Sequence, residues 1–133
     1  MSPVALALML VLAQGAPAAK PAPAPSPTPR VEAPPYEGDL LRLAELMGAL
    51  AYLRDLCREG DGADFRAKMA HLIETDPRPQ EAKDQLAGAF NRGFEGYRLT
   101  YRDCTSNARE AMTAYFDETQ RLARDVAARY GGG

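Results

Sequence analysis

The sequence predicts an all-α protein. Its domain is an antiparallel, up-down bundle of four helices, the second one short, stapled by one disulfide and preceded by a disordered N-terminal segment. Three observations carry this prediction. Leu86, Phe90, Phe94, Tyr97, Tyr101 and Cys104 recur at steps of four, four, three, four and three. At about 100° per residue they fall within an arc of about 80° on one helix face. Three other stretches show apolar helical periodicity, short breaks separate them, and nowhere does a strand-like alternation hold. Finally, the only two cysteines fall at the ends of the first and third stretches, which up-down order brings to the same end of a bundle.

The 133 residues are not all of one kind. Val4 to Ala13 form an apolar run about half the length of a membrane span, and Ala16-Pro17-Ala18 supplies small residues for cleavage after Ala18. Residues 1–18 therefore read as a signal peptide, and no stable membrane span is expected in the mature form. Eight of the eleven prolines lie between Pro17 and Pro35. Alternating with alanine, they favour extended polyproline II and cannot build a core, so residues 19–35 read as a disordered linker. The helical domain is expected over residues 36–130, with residues 131–133 as a tail. A net charge of −2 and a pI near 5.4 lack the basic footprint of nucleic-acid or anionic-membrane binding.

The first helix is expected from Glu37 to Arg58. Leu40, Leu43, Met47, Leu50 and Ala51 form its main stripe, flanked by Leu46, Leu53 and Cys57, while Leu41, Tyr52 and Leu56 project elsewhere. Apolar around most of its circumference, it either sits centrally or has a second contact surface, which allows a homodimer. Glu59-Gly60-Asp61-Gly62 ends it. A short helix from Ala63 to Thr75 presents Phe65, Met69, Leu72 and Ile73, and Asp76-Pro77-Arg78-Pro79 separates it from the third. The third helix is expected to reach Cys104. Thr105-Ser106-Asn107 then breaks the chain, with Asn107 and Glu110 in a capping-box arrangement. Ala108, Met112, Tyr115, Thr119, Leu122 and Val126 stripe the fourth helix, which runs to about Tyr130. A Cys57–Cys104 disulfide fits this topology, and in an exported chain paired cysteines are the rule.

Tyr36-Glu37-Gly38-Asp39-Leu40, Tyr52-Leu53-Arg54-x-x-Cys57, and Ala89-Phe90-Asn91-Arg92-Gly93 through Tyr101-Arg102-x-Cys104 together resemble a family of small exported alphaproteobacterial proteins, catalogued as a domain of unknown function. The resemblance covers about Tyr36 to Val126 and implies a periplasmic setting. It implies no activity, ligand or catalytic residue.

Function must then be read from the residues. His71 is the lone histidine, paired cysteines would not ligate, and no acidic cluster has metal spacing, so neither a metal nor another cofactor is expected. No nucleophile has a base beside it, and the absence of C-x-x-C spacing favours a structural disulfide over a redox-active one. Gly93 and Gly96 belong to no phosphate loop and read as positions of close helix packing. Arg54 lies within the apolar face of the first helix, and reads either as a long side chain snorkelling past the helix end or as a partly buried cation that pairs with Asp103 or Glu95 or binds an anion. Asn91, Glu95, Arg98 and Arg102 flank the aromatic stripe, either as a solvated face with a Glu95–Arg98 pair or as a recognition edge. The candidate site is therefore Arg54, Asn91, Arg98, Tyr101 and Arg102. The function these readings favour is a non-enzymatic structural or protein-interaction module of the periplasm with a protein partner. The alternative is a small-molecule carrier with a cavity lined by Phe90, Phe94 and Tyr97.

Overall fold

The computed structural model of the protein describes Gly15 and residues 35–130. Apart from Gly15 and Pro35, the expected signal peptide, linker and tail lie outside the described residues. Four helices make up the domain: α1 Glu37–Leu56, α2 Gly62–Thr75, α3 Gln80–Thr100 and α4 Ser106–Tyr130. Among the described residues there is no strand.

Contacts at the helix ends fix their directions. Arg78, in the α2–α3 turn, lies 3.7 Å from Glu37 at the start of α1, and Arg129 at the end of α4 lies 3.4 Å from Asp39. At the opposite end, Cys57 and Cys104 form the disulfide, with their Cα atoms 5.0 Å apart. So α1 and α3 run one way, and α2 and α4 run back. The up-down order and the staple both stand.

Helix α1 is the centre of the assembly. Nine of its apolar residues from Leu40 to Leu53 are at most 8% exposed, and they occupy most of its circumference. The other three helices each lie against it, whereas α4 packs its backbone on neither α2 nor α3. Leu41, Tyr52 and Leu56, the side that offered a second contact surface, are half-buried against the same core.

The closest approach is between α1 and α3, and two glycines allow it. A Cβ on Gly48 would sit 1.9 Å from the carbonyl oxygen of Phe90, and a Cβ on Gly93 would sit 1.9 Å from that of Glu45. Each helix thus pushes its backbone into the other's notch. Ala44 and Ala89, one turn earlier on each helix, are fully buried beside the notches. Both helices therefore carry the same small-x-x-x-small element, Ala44/Gly48 and Ala89/Gly93, which lets two backbones touch and gain dispersion energy along their length. The expectation for Gly93 holds. Gly96 has open space around its missing Cβ and takes no part.

Three boundaries differ from expectation, each for a local reason. Helix α1 stops at Leu56, two residues early, because Arg58 takes a left-handed conformation (φ 62°). Its N–H then donates to Asp55 O and that of Glu59 to Arg54 O, which closes the helix as a Schellman motif with arginine where glycine is usual. Helix α3 stops at Thr100 rather than Cys104. Tyr101 is extended, and its carbonyl accepts a hydrogen bond from the Tyr52 hydroxyl of α1 in place of a helical partner. Helix α4 starts one residue before Asn107. Its cap is Thr105, whose hydroxyl accepts from the Ala108 N–H at 3.1 Å, so the Asn107–Glu110 capping box does not form.

Two outcomes test this architecture. Gly93→Ala should lower the stability measured by urea denaturation by about 3 kcal/mol, since the notch wall is backbone and cannot move aside. Gly96→Ala, four residues on, should instead raise it by about 0.5–1 kcal/mol through helix propensity. Separately, reduction of Cys57–Cys104, whose positions are 47 apart in sequence, should cost about 4 kcal/mol by the chain-entropy relation. A thermal melt with and without reductant reads that loss.

Candidate functional site

The five expected site residues do not form one surface. Arg54 projects from the last turn of α1 toward α2 and α4. Its Nε lies 2.5 Å from the Asp61 carboxylate, and its guanidinium sits 5.9 Å from the Phe65 ring and 5.2 Å from that of Phe116. The expected partners Asp103 and Glu95 are thereby corrected to Asp61. The left-handed Arg58 and Gly60 fold the α1–α2 loop back so that Asp61 meets the helix it has just left. Glu95 is held by its own helix neighbour Arg98, at 2.6 Å.

Asn91 and Arg98 are exposed on the open side of α3. Tyr101 and Arg102 belong to the extended segment beside the disulfide, where Tyr101 is half-buried with its ring stacked on Tyr97 at 6.2 Å and Arg102 is exposed. Among the described residues, no hydrogen bond or ion pair joins Arg54 to the other four. Leu99, next to Arg98, is 74% exposed, the one large apolar side chain among the described residues left so open.

The aromatic stripe of α3 is committed to packing. Phe94 meets the Tyr52 ring edge-on at 5.6 Å, and Arg66 of α2 covers its outer face at 4.3 Å. Tyr97 meets Tyr115 of α4 edge-on at 5.3 Å, and their hydroxyls share a hydrogen bond. Burial, reinforced by that bond, pushes the Tyr97 phenol above its ordinary range. These tyrosines bridge α3 and α4, whose backbones do not meet. Phe90, Phe94 and Tyr97 thus pack against Arg66, Tyr52 and Tyr115.

An open groove lies instead on the far side of α1, between α2 and α4. Leu43 and Met47 form its floor, Phe65 and Lys68 one wall, Phe116 and Thr119 the other, and its volume is about 280 Å³. The Thr119 hydroxyl is buried and has no hydrogen-bond partner among the described residues. Sequence spacing puts Phe65 and Thr119 each on an inward stripe, but nothing in it shows that α2 and α4 stand apart.

The ion pairs that frame the domain were equally hidden. Arg42 grips Glu118 with two hydrogen bonds, at 3.0 and 3.1 Å, while lying 5.9 Å from the Tyr115 ring. Arg78 is folded onto Asp76, at 2.7 Å, with side chains only 11% and 7% exposed, and the same carboxylate accepts the Arg78 N–H at 2.9 Å. The α2–α3 turn is thus locked by its own charges and held against Glu37. Among the described residues, no group of three or more His, Cys, Asp or Glu side chains is placed to hold a metal ion, and no helix is long and apolar enough to cross a membrane. His71 is exposed.

A four-helix body closed by one disulfide is the class that the described residues define. The chain belongs to the DUF2385 family, described as a protein of unknown function, whose family profile matches residues 35–130. No curated protein and no solved structure matches the chain.

Three of the arginine–carboxylate pairs set an acid limit on stability. Hydrogen bonding to Arg78 holds the Asp76 carboxyl below its ordinary 3.8, Arg54 does the same for Asp61, and Arg42 holds Glu118 below 4.5. Each group binds fewer protons folded than unfolded across that interval. Their stabilisation is therefore complete above the unfolded values and is lost as pH falls through the folded ones. Urea midpoints should be lower at about pH 3 than at about pH 7, and Asp76→Asn should flatten that fall.

Proposed function

We propose that this protein is exported to the periplasm and acts there by binding, as a structural or protein-interaction module rather than an enzyme. The observation that carries the reading is the Cys57–Cys104 bond, which uses both cysteines of the chain within one domain. Such bonds persist in oxidising compartments and are rare in the cytosol. The apolar run Val4–Ala13 and the Pro/Ala-rich stretch that follows support export, as does the resemblance of the cysteine segments to small exported alphaproteobacterial proteins. The contact surface in this reading is the open side of α3. There Arg98 stands beside the exposed Leu99, with Asn91 about two turns earlier and Arg102 beyond the helix end, and an arginine beside an unburied leucine suits a protein partner.

Cell fractionation and thiol counting test the export. Protein recovered from the periplasmic fraction should show no free thiol until it is reduced, whereas two free thiols or a purely cytosolic location would refute it. For the surface, alanine at both Arg98 and Arg102 should remove the partners captured from periplasmic extract by the wild-type chain. An unchanged set of partners would discard the α3 surface.

A further inference from the structure

We propose that the groove between α2 and α4 binds a small monoanion with an apolar body, in chemical class a medium-chain carboxylate. This site is separate from the α3 surface and does not depend on it. The groove interior is apolar where a tail would lie. Leu43, Met47 and Phe65 are each 8% exposed along the floor and the α2 wall, with Phe116 half-buried opposite. Arg54 rests near both the Phe65 and the Phe116 rings, and its charge is already taken by Asp61. What remains for a ligand is an apolar trough with polar groups on its walls.

Those polar groups favour an anion. Lys68 lines the groove from α2 with its ammonium 5.9 Å from the Phe65 ring, and it takes part in no ion pair among the described residues. Asp61 is committed to Arg54, and Lys68 is the least of the influences on its carboxyl. Across the groove, Thr119 lines the other wall, but its hydroxyl oxygen is sealed from solvent and offers a ligand no contact. A carboxylate brings the charge opposite to that of Lys68, which neither a cationic nor a purely apolar ligand does. The volume, about 280 Å³, lies just below the usual range of about 300–1,000 Å³ for small-molecule sites, so the apolar body is short.

The test is a titration of the isotope-labelled full chain, followed by amide chemical shifts, with sodium octanoate and with octylammonium chloride as probes. Octanoate should give saturable shifts centred on Met47, Phe65, Lys68, Phe116 and Thr119 at concentrations up to about 5 mM, a regime of weak binding. Octylammonium should bind about tenfold more weakly or not at all. Lys68 is exposed, so Lys68→Met should keep the fold, checked by its amide spectrum, and weaken octanoate about tenfold. The proposal is overturned if octanoate gives no saturable shifts or shifts centred elsewhere. It is equally overturned if the two probes bind alike, or if folded Lys68→Met binds octanoate as the wild type does.

Discussion

The reciprocal notch between α1 and α3 is the constraint on which the rest of the structure depends. Two helix backbones come into direct contact only where no side chain intervenes, and Gly48 and Gly93 provide that gap on opposite partners. Once the axes are this close, the rotation of α3 about α1 is set. Phe90 and Phe94 are carried to one side, where Arg66 of α2 covers them, and Tyr97 to the other, where it reaches Tyr115 of α4. The same rotation delivers Tyr101 to the Tyr52 hydroxyl and Cys104 to Cys57. A larger residue at either notch would swing all of these contacts at once.

Around that contact the domain separates its chemistry by layer. The core holds no buried polar or charged residue among those described. Charge is kept at the rim, where Arg42, Arg54 and Arg66 lay their guanidinium planes near aromatic rings while their heads stay partly in water. Arginine suits this duty because its weakly hydrated plane can stack and still hold a carboxylate, as Arg54 does with Asp61 and Arg42 with Glu118. A domain of this size buries too little apolar surface to leave ring faces bare. The arginines supply cover that leucine would have provided in a larger protein.

Much of this was legible in the sequence, and the misses share a cause. Helical periodicity located all four helices, and the all-round apolarity of α1 announced its central place. The cysteine positions matched the helix ends that the topology brings together. The end of α3 was illegible because Tyr101 and Cys104 keep helical spacing although the backbone there is extended. What decides the matter is a hydroxyl 49 residues earlier, on Tyr52. At α4, Thr105, Ser106 and Asn107 are all good caps, so local chemistry could not choose between them. The Arg54–Asp61 pair hinges on a left-handed arginine, a conformation that sequence gives little reason to expect. The candidate site suffered most, since grouping Arg54 with Arg98 and Arg102 required knowing which way each helix faces.

The parallel run of α1 and α3 also bears on how the chain reaches this state. Neighbours in a helical hairpin meet through a short loop, but Gly48 and Gly93 must find each other across the whole of α2 and two turns. Joining such distant segments carries a closure entropy that no local contact offsets. The disulfide ties the same two helices a few turns beyond the notch, so it raises the effective concentration of one glycine near the other. By reciprocity, helices already seated in their notches raise the effective concentration of one thiol at the other. Oxidation and helix docking are thus two doors into one room, and whichever opens first eases the second.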